Sequence, residues 1–291
     1  IIETYGDSVN PPFEPLEKTD HFKYFGAFLL KDDFEIALHG YNHMSLVLEN
    51  FDYKGHLDYT KWKSQEDMAA AIQEVIRFTK ELFPEIELKT YVPPSNVLSV
   101  EGRAMLKECF PQINTISGLY INDIHGTEQE FGIGNDGLID LPRIVSGHSL
   151  SDQSQWEALS ELGFHYMNSY FIHPDDILDP ERSLGKSWEE LRKDFEEYLQ
   201  WLYGAAREIR NMTAQEAAMA VQRYSNLSVD RSMDDRKLIL DIGGFYDEAW
   251  LLVRINDGGP GFVDGGKLEH ISGNLYLLHA TKDHVEILLE R

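Results

Sequence analysis

Hydrophobic and polar positions follow two rhythms along the first two thirds of the chain: short apolar runs, and longer stretches with 3.6-residue periodicity. Residues 1–5 read as a strand already under way with no signal peptide before it, so further sequence is expected upstream of Ile1. A loop rich in Gly, Asp, Asn and Pro follows at 6–12, and residues 34–38 are strand-like and end at His39. Ser64 with Asp67 three residues on predicts a helix start. Ile72, Val75, Ile76, Thr79, Leu82 and Phe83 give that helix one apolar face, and Pro84 stops it.

Residues 88–92 predict a strand ending at Pro93-Pro94, and Ser99 caps a short helix reaching about Cys109. Residues 113–121 are strand-like in parts, and 138–145 hold a strand interrupted at Pro142. A helix over 152–162 with Gly163 as its C-terminal stop precedes a strand over 164–172. Ser187 and Glu190 form a capping box for a long helix lined by Trp188, Leu191, Phe195, Leu199, Leu202 and Ile209. Strands alternating with helices predict a parallel sheet, open or closed into a barrel, with chemistry at the carboxyl ends of its strands. The pattern then changes. Thr213 and Glu216 cap one more helix, followed by strand-like runs at 237–242, 249–255, 275–279 and 285–289 separated by Gly and Asp turns. The expected division is an α/β domain over 1–210 and a helix plus a small β-sandwich-like module over 211–291.

The 291 residues suit one large or two smaller domains at roughly 100–200 residues each. An apolar share of 42 % is enough for a packed core. Fifty acidic residues against 26 basic ones give a formal charge of −24, which speaks against nucleic acid or an anionic membrane as partner. The single cysteine, Cys109, permits no intramolecular disulfide and reads as part of a helix's apolar side. No apolar run reaches the ~18–20 residues of a transmembrane segment.

The sharpest chemical feature is His39-Gly40-Tyr41-Asn42-His43, directly after an apolar strand. On a helical turn the two rings would share one face and hold a metal ion together. Gly40 permits a sharp turn and stands where a zincin would carry Glu. A bare pair of this spacing is as readily two polar loop residues; its place at a strand's end favours ligands. His173, in Phe-Ile-His-Pro, again ends an apolar strand and is a candidate general acid or base. Taken alone it reads more readily as a capping or loop histidine. Tyr91-Val92-Pro93-Pro94-Ser95-Asn96 offers a rigid wall and hydroxyl-binding groups for a sugar-sized cleft, or an ordinary turn. Asp7 is a candidate carboxylate for metal or proton transfer and Asn10 a ligand-contacting amide, or both belong to a turn ahead of Pro11. His21, His56, His125, His148, His165, His270, His279 and His284 are weaker candidates. No P-loop, dinucleotide fingerprint or Gly-x-Ser-x-Gly elbow occurs.

Over about residues 1–205 these segments resemble the polysaccharide deacetylase, or NodB-homology, superfamily. The resemblance implies a distorted (β/α) barrel, often seven-stranded, with the β-rich module following it. It implies metal-dependent removal of N-acetyl groups from an extracellular or surface-associated amino-sugar polysaccharide. His39 and His43 would hold a divalent metal, most often zinc, and His173 would protonate the leaving amine. Candidate substrate contacts are Asn10, Tyr91, Pro93, Ser95, Asn96, Asp140 and Asp175. The long loops and trailing module look more like exopolysaccharide deacetylases of the Pel or galactosaminogalactan type than compact chitin deacetylases. One departure stands out. The superfamily's Asp-Asp motif should precede the histidines at a strand end, whereas Asp32-Asp33 lies at the start of the histidine strand. The motif is expected upstream of Ile1, with Asp7 as the fallback base. Two other classes stay open: a catalytically inactive carbohydrate-binding barrel, and a glycoside hydrolase. The latter needs two carboxylates ~5–9.5 Å apart, for which Asp140 and Asp175 are the nominees.

Overall fold

The computed structural model describes residues 2–4, 19–32, 34–51, 61–118, 120–122, 126–128 and 130–290. The chain divides into two compact units, Ile1–Ala218 and Met219–Arg291. The first unit runs β1 (Ile2–Thr4), α1 (Thr19–Lys31), β2 (Leu38–Tyr41), α2 (Gln65–Leu82), β3 (Thr90–Tyr91), α3 (Val100–Cys109), β4 (Thr115–Ile116), β5 (Tyr120–Asn122), β6 (Gly126–Glu128), β7 (Gly132–Ile133), β8 (Ile139–Asp140), β9 (Val145–Ser146), α4 (Asp152–His165), β10 (Tyr170–Phe171), α5 (Trp188–Ala205) and the first turn of α6 (Ala214–Asn226). The division falls inside α6 rather than at Asn211.

β1, β2, β3, β4 and β8 lie side by side in that order, each neighbouring pair parallel, and β7 joins β8 antiparallel. β9 and β10 form a separate parallel pair. Parallel neighbours need crossovers, which α2 supplies between β2 and β3 and α3 between β3 and β4. Among the described residues the six-stranded ladder ends at β1 and β7.

The helices form where local chemistry directs them. Ser64 accepts a hydrogen bond from Asp67 N at 3.1 Å, and Ser99 does the same for Gly102 N at 2.9 Å. Both bonds of the Ser187–Glu190 box are made. Met68, Ala71, Ile72 and Val75 of α2 are fully withdrawn from water, and Met105 and Leu106 of α3 join them. They pack with Leu38, Tyr91 and Ile116 of the sheet. Burial of each large side chain stabilises the fold by about 1.5–3 kcal/mol.

Several expectations are corrected. The strand expected at 34–38 is Leu38–Tyr41, because Glu35 leaves the ladder to bond elsewhere. α4 runs through Gly163 to His165 and is closed by Tyr166 in the left-handed region, φ 57°. The strand expected at 164–172 is therefore only Tyr170–Phe171. Cys109 is exposed rather than part of the core.

The amino edge of the sheet is closed by one polar cluster. Glu35 accepts from Thr90 Oγ1 at 2.6 Å and from Gln215 N, in the first turn of α6, at 2.8 Å. The Gln215 amide donates to Thr90 Oγ1 and Thr115 Oγ1, both at 3.0 Å. One side chain thus ties the start of β3 to the start of β4.

The second unit contains β11 (Ser228–Asp234), β12 (Lys237–Gly243), β13 (Ala249–Arg254), β14 (Gly259–Asp264), β15 (Gly266–Ser272), β16 (Leu275–Ala280) and β17 (His284–Glu290). They make two antiparallel sheets, β11-β12-β17-β14 and β13-β16-β15, with Leu240, Ile242, Val253, Leu278, Val285 and Ile287 in the core between them. β14 was expected as a turn; it carries Gly259, Pro260 and Gly261, and its place at a sheet edge accommodates a proline.

Gln215→Ala is expected to destabilise the full chain by about 1–3 kcal/mol, because it takes a donor from the buried Thr90 and Thr115 hydroxyls while the backbone bond to Glu35 stays. Urea denaturation measures the loss, and unchanged stability would show the cluster to be incidental.

Candidate functional site

The carboxyl end of β2 builds the site's first wall. Leu38 and Tyr41 point into the core, each no more than 2 % exposed, while His39 is half-buried. Gly40 has φ +82°, and a Cβ there would meet Met44 O and the Pro94 ring at 3.0 Å. Beyond Tyr41 the chain reverses through Asn42 and His43, both left-handed at φ 51° and 55°. The reversal brings the His43 ring back to His39, with centroids 4.9 Å apart and planes at 73°. The expected helical turn is absent. His39 lies within the strand, and a left-handed turn makes the pair.

The second wall is the end of β3. Ser45 donates to Pro94 O at 2.7 Å, and Trp62 Nε1 donates to Ser45 O at 3.1 Å, which fastens the β2 loop to the proline pair. Ser95 and Asn96 are again left-handed, φ 54° and 57°. Four of the seven described non-glycine residues with positive φ thus flank this one edge. Such residues cost on the order of 1 kcal/mol each and persist where the surroundings over-determine them, as at functional sites.

Hydrogen bonding assigns the His39 tautomer. Its Nδ1 lies 2.8 Å from Val92 O, which can only accept, so Nδ1 carries the proton and Nε2 keeps its lone pair. Burial lowers the His39 pKa to about 4, the Val92 bond partly opposes this, and His43 and Arg143 add to the fall. Burial also pushes His43 down, helped by His173 and Arg143 and opposed by Asp175. His173 is lowered by burial and then by Arg182, against Asp176 and Asp175. Near neutral pH all three rings are uncharged.

Arg143 stands among them, 8 % exposed, and burial pushes its guanidinium down to about 10. It donates to Asn96 Oδ1 and lies 4.4 Å over the Phe171 ring. Phe171 in turn meets the His173 ring edge-on at 5.5 Å. Below His173, buried Asp176 is ion-paired with Arg182 and lies 3.8 Å from Nδ1 of buried His148.

The structure therefore brings together His39, His43 and His173, with Ser95, Asn96 and Asp175 around them. Tyr91 and Pro93 are buried, so they support the site rather than face a cleft. Asp140 is held by both terminal nitrogens of Arg103, at 2.6 and 3.1 Å, in a group with Asp136. Asp175 lies beside a different arginine, Arg182, and its side chain is 65 % exposed. Asp7 and Asn10 lie outside the described residues, as does Asp33. Among the described residues no three His, Cys, Asp or Glu side chains converge as a metal site. His39 and His43 offer two neutral imidazoles, a donor set that fits zinc. Sequence reading missed Arg143, Asp176, Arg182 and the burial of His148. A basic residue just past a strand end in so acidic a chain was the available signal for Arg143.

The depressed histidine values set a sign. An unfolded histidine titrates near ~6.5, so between there and about 4 the unfolded chain holds a proton that folded His39 refuses. Metal-free protein should be at full stability above that window and lose it as the pH falls through it. Melting midpoints across pH 4 to 7 test this, and His39→Asn should flatten the slope. Equal slopes in both proteins would contradict the burial argument.

No curated protein and no solved structure matches the chain. One family model does, over residues 1–277, and its description reads "Uncharacterised protein conserved in bacteria (DUF2194)". That match covers nearly all of both units, and the chain belongs to the DUF2194 family.

Proposed function

We propose that this protein is a metal-dependent deacetylase acting on an N-acetylated amino-sugar polysaccharide outside the cell. The observation that carries the reading is the His39–His43 pair, 4.9 Å apart, with the His39 proton pinned on Nδ1 by Val92 O. Both rings are neutral near pH 7 and so ready to bind a divalent ion without losing a proton. The order of the parallel strands supports a barrel of the deacetylase type. β1, β2, β3, β4 and β8 follow chain order, and β9 and β10 add a separate parallel pair.

His39 and His43 would hold the ion, with a carboxylate still to be assigned. When bound, zinc supplies Lewis-acid polarisation of a carbonyl and acidification of water. The chain's own residues handle the rest. Neutral His173 would take up the proton that the attacking water gives up and deliver it to the departing sugar nitrogen; the water's oxygen stays on the acetyl carbon as the C–N bond breaks, which yields acetate and a free amine. Ser95 is exposed and Asn96 half-exposed at the same edge, where they can meet sugar hydroxyls. Phe171 stands between buried Arg143 and the exposed His173 ring and holds that ring edge-on.

Elemental analysis after dialysis and zinc reloading is expected to give about one zinc per wild-type chain. His39→Ala should lose it while folding normally by circular dichroism. Zinc-loaded wild type should then release acetate from a partly acetylated glucosamine or galactosamine polymer. His173→Ala should retain zinc and lose roughly 100-fold or more in rate. Equal zinc in wild type and His39→Ala would overturn the site, and intact zinc without acetate release would overturn the reaction.

A further inference from the structure

Several arginines of the first unit pair with carboxylates. Arg103 grips Asp136 and Asp140 together, and Arg182 pairs with Asp176. Arg143 departs from this, although it is among the most buried charged side chains described. Among the described residues no carboxylate pairs with it. One Nη2 hydrogen goes to the neutral amide oxygen of Asn96, Phe171 covers one face, and Nε is buried without an acceptor. The three nearby imidazoles supply no negative charge. Withdrawing a guanidinium from water is costly unless an anion matches it.

We infer that Arg143 is the receptor for a carboxylate ligand at the His43–His173 edge of the sheet. The chemistry selects this class. A guanidinium presents its donors in a flat fork that matches a carboxylate, and Asn96 with Phe171 holds that plane fixed. The chain's charge of −24 repels a polyanion such as a phosphate ester more strongly than a singly charged carboxylate. Two sources share the chemistry: a free small carboxylate such as acetate, and the carboxylate of an acidic sugar. The inference goes beyond the metal reading, since it needs only Arg143 and its neighbours.

The test uses the full chain stripped of metal by a chelator, at constant ionic strength. Sodium acetate and, separately, a glucuronate-containing disaccharide are titrated by calorimetry, with sodium chloride as the control anion. The Arg143 guanidinium signals are followed by nuclear magnetic resonance. Saturable binding of either carboxylate, with movement of those signals, is expected. Arg143→Gln should weaken it at least about tenfold, and Arg143→Lys less. Saturation by acetate assigns the site to a small carboxylate; saturation by the disaccharide alone assigns it to an acidic sugar. No saturable binding by either, or binding unchanged in Arg143→Gln, overturns the inference. If Arg143→Gln does not fold, the wild-type signals decide, and their failure to move under both ligands overturns it equally. Loss of the zinc reading with intact carboxylate binding therefore sinks the proposed reaction alone, and the converse sinks this inference alone.

Discussion

The seam between β2 and β3 carries the structure. Only Leu38 and Tyr91 are in register across it, yet Val92 N bonds to Leu38 O at 2.8 Å and the next carbonyl-to-ring bond, His39 to Val92, continues the line. Two residues further, Ser45 and Pro94 close it. Strands this short have little ladder to hold them, so side chains finish what the backbone begins. The core beneath, with Leu38 and Tyr91 fully buried, keeps the seam from slipping. Everything at the carboxyl edge inherits its position from that line: the His39 tautomer, the reversal through His43, and the Asn96 amide that meets Arg143.

That dependence explains the unusual backbone. Asn42, His43, Ser95 and Asn96 occupy a conformation that side-chain-bearing residues avoid, in two facing pairs. Asparagine tolerates it best, because its short amide bonds locally. His43 follows Asn42 into it, just past a strand end where Gly40 lies tight against Met44 O and the Pro94 ring. A straight continuation of the strand would have carried His43 away from His39.

Legibility followed the range of the interactions. Ser64, Ser99, Ser187 and Thr213 announce their helices because a cap is a bond between residues three apart. The strands were blurred because two-residue pairings leave no room for alternation, and because β11 is exposed along its whole length. Gly163 misled, since Tyr166 took the left-handed cap instead. The histidines were legible as strand-end residues, but their mutual geometry was not, because a left-handed turn has no periodicity to read. Arg143 lay beyond reach for a different reason: burial of a charge is a tertiary fact, and its neighbours Asn96 and Phe171 lie far from it in the chain or across the sheet.

The polar cluster at the opposite edge has a bearing on how the chain is made. Gln215 meets Glu35 across 180 positions and Thr90 and Thr115 across 125 and 100. On a ribosome the strands emerge long before the residue that closes their amino ends. Until residue 215 is released, Glu35 and Thr90 have only each other and Thr115 only its neighbour Asn114, and the sheet waits with that edge unfinished. The same order makes the first unit intolerant of being cut at its outward boundary: a chain stopped at residue 210 would keep every strand of the parallel sheet and lack the amide that joins them.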